Sequence, residues 1–247
     1  MFRSMFANMP GVVKNLVIIN GLFFLATVVL ENQEISLTYE LGLHYPGSEN
    51  FRPYQLATHF FMHAGFMHIF FNMFALIVFG SQLERVWGSK RFLLFYLITA
   101  IGASLLHIGI QVYEVYQAAG QAFPDLTVLD AGFNNRGEFM TVTDPPEYGG
   151  KSVVGQNYAR PTVGASGAVY GLIAAFALLF PNTQLMLLFP PIPIKAKWLA
   201  LALAAFALYS GYQRTDGDSV AHFAHLGGMI FGFILVKIWQ KNSTTFY

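Results

Sequence analysis

Long apolar segments alternate with polar connections along the whole chain of 247 residues. About 20 consecutive, mainly apolar residues suffice for one helix to cross the hydrocarbon core of a bilayer. Six segments approach or exceed that length, so the pattern predicts an all-α, polytopic membrane protein built as a six-transmembrane-helix bundle. The predicted spans cover residues 12–30, 56–83, 92–113, 163–180, 196–212 and 219–239.

The connections predict a single domain over residues 1–247, because no internal repeat is detectable. The longest connection, the outer loop 114–162, is also the least apolar, and its Asn-Asn, Pro-Pro and Gly-Gly pairs are typical of turns. Pro161 and Thr162 then predict the start of the fourth helix, with Thr162 as its N-cap. Between the fourth and fifth spans, prolines within 190–193 prevent a continuous helix.

The composition supports insertion into a membrane. Hydrophobic residues make up 55% of the chain and charged residues only 11%, which is too apolar for an ordinary soluble domain. Five more apolar segments and no small-residue cleavage site follow the first one, which favours a membrane span over a cleaved signal peptide. The chain has no cysteine, which excludes disulfides, thiol catalysis and cysteine-ligated metal.

Charge divides the polar segments into two sets on opposite sides of the membrane. One set, which includes both termini, carries nine of the 14 Lys and Arg residues but, of the 13 acidic residues, only Glu84. The other set carries the remaining acids, in 31–55, 114–162 and 213–218. Lys and Arg accumulate on the cytoplasmic side of inserted proteins, so both termini are predicted to be cytoplasmic.

No Asp or Glu lies well inside a predicted span. A paired-aspartate intramembrane protease requires two membrane carboxylates. A zinc protease of the His-Glu-x-x-His type requires a glutamate, which the segment from His59 to His63 lacks. The polar and ionisable groups in the spans that are candidates for chemistry are His59, His63, His68, Asn72, His107, Ser166, Tyr170, His222 and His225.

With both termini on one side, the second, fourth and sixth spans all run inward from the outer face. The second carries His68 and Asn72, the fourth Ser166 and the sixth His225. Ser166 is expected a few residues into its helix and His225 about six residues into its own, which places both roughly 5–10 Å below the helix starts. Similar depth on like-directed helices permits contact between the hydroxyl and the imidazole.

Small residues surround both groups. Gly167 and Gly171 form a Gly-x-x-x-Gly ridge on the fourth span, and Gly228 and Gly232 form another on the sixth. Such ridges let helix backbones approach closely in lipid. Each ridge alone is compatible with plain packing, but ridges beside a serine and a histidine favour nucleophilic chemistry. Tyr170 shares the serine's helical face, where it either packs or supports an imidazole.

The other histidines have alternative interpretations. His59 and His63 stand four residues apart on one predicted helical face, and two ligands are too few for a metal site. A hydrated, hydrogen-bonding role is favoured for both. His107 is interpreted as a packed or interfacial residue, and His222 as a hydrating or structural one.

Three short motifs stand on the fourth, second and sixth predicted spans. They are Gly164-Ala165-Ser166-Gly167 with Tyr170, His68-x-x-x-Asn72 and Ala224-His225-x-x-Gly228. In this arrangement they resemble the rhomboid intramembrane serine proteases, and the run from Glu84 to Lys90 is also similar to that family. The resemblance covers about residues 53–232, and the combination of motifs is specific although each motif alone is weak.

The resemblance implies an intramembrane serine endopeptidase that cleaves peptide bonds in or near transmembrane helices of other membrane proteins. Ser166 would be the nucleophile and His225 the general base and acid, a dyad without a carboxylate. No cofactor, metal or nucleic acid is implied, and the surroundings are membrane lipid. The remaining implied roles are oxyanion stabilisation by His68, Asn72 and the Ser166 backbone N–H, and support by Tyr170, Gly164 and Gly167.

Two departures from the family pattern concern the outer side: the connection 114–162 is longer than in compact bacterial members, and Tyr54-Gln55 stands where many members show Trp-Arg. By analogy, the fifth span and the loop 214–219 form the substrate gate. A bacterial inner membrane is expected, since no transit segment and no large appended domain are evident. The physiological substrate and the oligomeric state are left open.

Two other functions stay open. One is a catalytically silent relative that grips membrane helices, and the presence of both Ser166 and His225 argues against it. The other is a small channel or transporter that uses the histidines as a pathway. The lack of membrane carboxylates and of repeats argues against that alternative.

Overall fold

The computed structural model describes residues 8–124, 160–187, 190–213 and 219–242, and these are mostly helical. A 3₁₀ turn (His59–Phe61) precedes the helix that begins at Phe66, and a π-helical turn (Leu76–Gly80) joins that helix to the one that begins at Ser81. The elements in chain order are α1 (Gly11–Glu31), α2 (Leu37–Leu41), α3 (Gln55–Thr58), α4 (Phe66–Ala75), α5 (Ser81–Trp87), α6 (Ser89–Ala119), α7 (Ser166–Leu179), β1 (Gln184–Met186), β2 (Pro193–Lys195), α8 (Ala196–Gln213) and α9 (Ser219–Asn242).

Within the described part of the chain, four helical stretches are long and apolar enough to cross a membrane. They are Gly11–Glu31, Phe66–Trp87, Ser89–Gln117 and His222–Lys241. A shorter apolar helix, α7, occupies the fourth predicted span, and α8 lies in the fifth. A largely helical membrane fold is therefore observed, while the full count of six spans stays a prediction. Large apolar side chains such as Leu22 and Leu25, each 61% exposed, form the outer surface that lipid requires.

The second predicted span, 56–83, is not one helix. α3 and the 3₁₀ turn are separated from α4 by an extended stretch that begins at Met62. The prediction that His59 and His63 share one helical face is therefore wrong. The reason is hydrogen bonding: the His59 carbonyl accepts from the Met62 N–H (3.1 Å) and from the Gly164 N–H (2.9 Å), so it does not continue an α-helical ladder.

Gln55 organises residues 37–61, before this break, into a compact segment, which is called the outer segment after its predicted side of the membrane. Its side chain is 1% exposed. The side-chain oxygen accepts from the N–H groups of His44 (3.4 Å) and Arg52 (3.0 Å). The side-chain amide donates to the carbonyls of Glu40 (3.2 Å) and Asn50 (3.0 Å). One buried amide thus satisfies four backbone groups, which is why this segment needs no long helix to be ordered.

In place of the predicted inner turn at 84–91, a single residue, Gly88, separates α5 from α6. Its φ of +76° suits glycine. Glu84 consequently lies inside α5 and is 3% exposed. Its carboxylate accepts from two N–H groups in the first turn of α1 (3.0 and 2.9 Å) and from the Ser89 hydroxyl (2.7 Å). A carboxylate at the positive end of the α1 dipole satisfies N–H groups that have no helical partner, and so fastens α1 to the bundle.

The helix of the third predicted span, α6, extends beyond the predicted end at residue 113. α6 continues to Ala119, where Gly120 terminates it in the left-handed conformation. The first residues of the predicted loop 114–162 are therefore helical. Residues 125–159 of that loop, with the turn pairs, lie outside the described residues.

A short antiparallel hairpin, β1–β2, connects α7 to α8 and pairs Gln184 with Lys195. It occupies the connection in which prolines were predicted to interrupt the helix. The Ala196 N–H at the start of α8 donates to the Thr183 carbonyl (2.9 Å), which joins the hairpin to that helix. The hairpin lies at the end of α7 opposite Ser166.

Candidate active site

α7 begins at Ser166 itself, so the prediction of a serine several residues inside its helix is wrong. Thr162 is not the N-cap, because its backbone pairs with Leu43 and its hydroxyl hydrogen-bonds with the His107 ring. Gly164 follows with φ +123°, which L side chains rarely adopt. Non-helical residues therefore lead directly to the serine, where the first N–H groups of the helix have no helical partner.

The two glycine ridges bring the backbones of α7 and α9 into contact. A methyl group placed on Gly228 would lie 1.9 Å from the Gly167 carbonyl oxygen, and one placed on Gly232 would lie 2.8 Å from the Gly171 carbonyl oxygen. Real side chains essentially never approach so closely, so glycine is required on this face of α9. The predicted close approach of the fourth and sixth spans is observed.

This contact brings Ser166 and His225 together. The Ser166 Oγ lies 2.8 Å from the His225 Nε2, and both residues are partly exposed. The Tyr170 ring stacks on the His225 ring with a centroid distance of 4.2 Å and an interplanar angle of 3°. The other ring nitrogen of His225, Nδ1, is buried and has no hydrogen-bond partner among the described residues. Stacking on Tyr170, instead of a hydrogen bond from Nδ1 to a carboxylate as in a triad, therefore limits the orientation of the imidazole.

His68 approaches Ser166 from α4. A methyl group placed on Gly164 would lie 2.7 Å from the His68 Nε2 and 3.7 Å from the Ser166 Oγ, so one small atom there would be near both. The Ala64 N–H donates to the His68 Nδ1 (3.3 Å), so a neutral His68 ring carries its proton on Nε2. Asn72 is buried, and its side-chain amide donates to the His68 backbone carbonyl (2.9 Å). The described partner of Asn72 is thus His68 rather than the serine.

The sequence indicated no specific partner for His59, yet it makes three contacts around the site. Its carbonyl accepts from the Gly164 N–H (2.9 Å), its Nδ1 lies 2.7 Å from the Gln55 carbonyl oxygen, and its Nε2 lies 2.9 Å from the Ser104 Oγ. His59 therefore links the outer segment, α6 and the turn before Ser166. Nothing in the sequence marks Ser104 as its partner, because 45 positions separate the two residues.

A small cavity of about 30 Å³ lies behind the serine. A space of this size holds about one water molecule when polar groups surround it. The polar side chains that line the cavity are His59, Ser104, His107, Thr162 and Ser166.

Three further histidines, His63, His107 and His222, pack near the same centre. The His63 ring lies edge to face on the His68 ring at 5.0 Å, and the His222 ring lies 6.0 Å from the His225 ring. His107 is buried, as its interpretation as a packed residue predicts. In the described ranges, no group of three His, Cys, Asp or Glu residues could hold a metal ion. Residues 214–218 of the expected gate lie outside those ranges.

The chain matches the family model of the Rhomboid domain over residues 50–129 and 138–242. Rhomboid protein 1, a mitochondrial protein of Saccharomyces cerevisiae, is 29% identical over 186 residues, which are 74% of this chain and 42% of that protein. The chain spans about half the length of the mitochondrial relatives it matches, which include proteins of Arabidopsis thaliana and Schizosaccharomyces pombe.

Bacterial proteins are similar as well. Putative rhomboid protease YdcA of Bacillus subtilis is 27% identical over 199 residues, which are 79% of this chain and 74% of that protein. Rhomboid protease AarA of Providencia stuartii is 28% identical over 184 residues, which are 70% of this chain and 51% of that protein. The similarity thus extends over most of the chain in both mitochondrial and bacterial relatives.

Proposed function

The chain belongs to the rhomboid family, and from that premise we propose that it is an intramembrane serine endopeptidase. Ser166 is the nucleophile, and His225 is the general base and acid. The distance of 2.8 Å between Ser166 Oγ and His225 Nε2 carries the proposal, since at that distance an imidazole can take the hydroxyl proton. The similarity to proteins named as rhomboid proteases supports the same class of reaction.

The reaction has two steps. First, Ser166 Oγ attacks the carbonyl carbon of the scissile peptide bond while His225 Nε2 takes the hydroxyl proton. The carbon–nitrogen bond then breaks, and His225 gives that proton to the leaving amine. In the second step His225 takes a proton from water and the resulting hydroxide attacks the acyl carbon; the bond between that carbon and Ser166 Oγ then breaks, and His225 returns the proton to Oγ. Tyr170 orients the imidazole throughout by stacking.

The oxyanion is stabilised at the N-terminus of α7. The Ser166 N–H belongs to the first helical turn, where unpaired N–H groups and the helix dipole favour negative charge. The His68 Nε2–H is a second donor beside the serine. Asn72 holds the α4 turn that carries His68, and its remaining amide hydrogen is a further donor. Loss of one such donor typically costs about 2.7–4 kcal/mol of transition-state stabilisation.

The substrate class is a transmembrane helix of another membrane protein. An intact helix hides its carbonyls in backbone hydrogen bonds, so the cleaved region must unwind before Ser166 can attack. Gly164 supports this chemistry by admitting His68 beside the serine, and Gly167 does so by letting Ala103 of α6 pack against the start of α7.

The chain is an integral membrane protein. We propose a single six-span domain with both termini cytoplasmic, on the basis of its charge distribution. The relatives are mitochondrial as well as bacterial, so they do not support the expected bacterial inner membrane over other membranes.

The test is cleavage of a reconstituted single-span substrate by the wild type, Ser166→Ala and His225→Ala. Loss of either group is expected to lower cleavage by at least about 10⁴-fold, because the two act as a unit. A fluorophosphonate probe should label the wild type and leave Ser166→Ala unlabelled. Ser81→Ala, at the start of α5 and outside both the candidate site and the expected gate, is the matched control and should cleave normally.

Thermal unfolding of the variants separates loss of chemistry from loss of the fold. Wild-type cleavage by Ser166→Ala or by His225→Ala would contradict the dyad. A wild type that neither cleaves nor takes up the probe would instead support a silent family member.

A further inference from the structure

A second, apolar crevice lies between α7, α8 and α9, away from the serine. Its volume is about 470 Å³, within the range of roughly 300–1,000 Å³ that is typical of sites for small ligands. Small side chains such as Ala177 and Ala204 open it, and larger ones such as Leu201 and Phe233 form its walls. Among the described residues that line the crevice, Lys197 is the only polar one.

The crevice shares no lining residue with the cavity at the serine, and its α9 wall begins at Leu226, next to His225. Its α7 wall begins at Ala174, eight residues after Ser166, which corresponds to about 12 Å along the helix. On α8 it extends from Lys197 to Ala204, a length of about 10 Å. A flexible apolar chain fits a crevice of this length and lining.

Two lysines mark one end of the crevice. Lys197 lies at the start of α8, and its Nζ is 5.6 Å from the centroid of the Trp198 ring. Lys237 is on α9, and its Nζ is 5.8 Å from the centroid of the Phe233 ring, which itself lines the crevice. Aromatic rings and lysines at a helix end are typical of the level of lipid headgroups.

We propose that this crevice binds one acyl chain of an anionic phospholipid, whose phosphate lies at Lys197 and Lys237. The apolar walls match the chain, and the two cations match the phosphate. No acidic residue lines the described crevice to oppose it. Basic pockets between transmembrane helices are a recurrent way to select anionic headgroups.

Quenching of Trp198 by brominated lipids tests the proposal on the intact chain, without any need for activity. The chain is reconstituted in phosphatidylcholine vesicles that contain a small fraction of either brominated phosphatidylglycerol or brominated phosphatidylcholine. The fluorescence of Trp198 is obtained as the difference from the Trp198→Phe variant. We expect the brominated anionic lipid to quench Trp198 at a concentration lower by on the order of tenfold.

Matched variants locate the headgroup and the chain. Lys197→Gln with Lys237→Gln should abolish the preference for the anionic lipid, whereas Lys90→Gln, an exposed lysine at the start of α6, should keep it. Ala204→Phe fills the crevice and should also abolish the preference. Ala202→Phe, an exposed position two residues away that does not line the crevice, should not.

Equal quenching by the two lipids in the wild type would overturn the proposal. A preference for the anionic lipid that survives in the lysine double variant or in Ala204→Phe would also overturn it. Loss of the preference in Lys90→Gln, to the same extent as in the lysine double variant, would overturn it as well, because it would indicate an effect of general surface charge. Native mass spectrometry of the wild type gives an independent measurement. Retention of phosphatidylglycerol over phosphatidylcholine is expected there, and equal retention would contradict the site.

Discussion

Two regions bring neighbours to Ser166, and they are held in different ways. On one side, α7 and α9 touch backbone to backbone, with Gly228 directly against the Gly167 carbonyl. On the other side, the outer segment and the start of α4 are held by hydrogen bonds, most of them through the Gln55 side chain and His59. The first region sets the distance between Ser166 and His225, the proposed dyad, and the second sets the groups proposed to stabilise the oxyanion.

The difference teaches which changes each region can tolerate. A backbone contact between glycines leaves no side chain that could rotate away, so a single added methyl group must move a whole helix. A segment held by several hydrogen bonds keeps most of them when one is removed, and its side chains can readjust. Substitutions in the first region should therefore remove the dyad itself, while substitutions in the second should lower the rate with the dyad intact.

The largest effect is expected for Gly228→Ala. The new methyl group would lie 1.9 Å from the Gly167 carbonyl oxygen and must push α9, with His225, away from Ser166. Cleavage and fluorophosphonate labelling should fall to background, with a loss of stability of about 1–3 kcal/mol. Gly109→Ala, on α6 with no atom within 4 Å of the new methyl group, is the control. Normal labelling of Gly228→Ala would show that the backbone contact does not set the dyad.

A smaller loss is expected for Gly164→Ala, which acts on the second region. Its φ of +123° strains any side chain, and the methyl group would meet the His68 ring at 2.7 Å. If His68 is displaced as an oxyanion donor, kcat should fall by about 10²–10³-fold. Gly65→Ala, where φ is 171° and the space is open, should keep wild-type kcat. An unchanged kcat in Gly164→Ala would remove His68 from the proposed mechanism.

Tyr170 probes the dyad region without moving a backbone. Tyr170→Leu removes the ring that stacks on His225 at 4.2 Å, whereas Tyr170→Phe keeps it. Aromatic pairs contribute about 0.5–1.5 kcal/mol beyond burial, so kcat should fall by up to about tenfold in the leucine variant. The phenylalanine variant should remain near the wild type. Equal losses in both variants would assign the effect to the hydroxyl instead of the stack.

The smallest effect on rate is expected for Gln55→Leu. Four backbone groups lose their hydrogen-bond partner. Each group that stays buried without a partner lowers the stability of the folded segment by about 1–3 kcal/mol, unless water takes the place of the amide. Hydrogen exchange of the outer segment should accelerate strongly, while kcat changes less than in any variant above. Gln82→Leu, at an exposed position on α5, is the control. Wild-type protection of the outer segment in Gln55→Leu would contradict the role of this side chain.

Much of the dyad region could be predicted from local patterns. Apolar length indicated the helices, and the spacing of Gly167 and Gly171, and of Gly228 and Gly232, indicated faces on which backbones can meet. Helical periodicity also placed Tyr170 on the face of Ser166. These features depend on residues three or four positions apart in one helix, so they can be recognised in the sequence alone.

The second region was predicted less well. Apolar composition continues through Phe60 and Met62, so the break before α4 is invisible in a hydropathy pattern. Thr162 has the side chain of an N-cap, but its backbone pairs with Leu43 and the helix starts four residues later. In both places a tertiary hydrogen bond prevails over the local preference.

By itself the sequence determined that the chain is a helical membrane protein and which faces of its helices are polar or small, because burial in lipid and helical periodicity act over short stretches. Only the tertiary structure decided that the serine stands at the first residue of its helix and that His59 joins three elements around it. The reason is that these features arise from contacts such as that between His59 and Ser104, 45 positions apart, whose partners exist only once the bundle has formed.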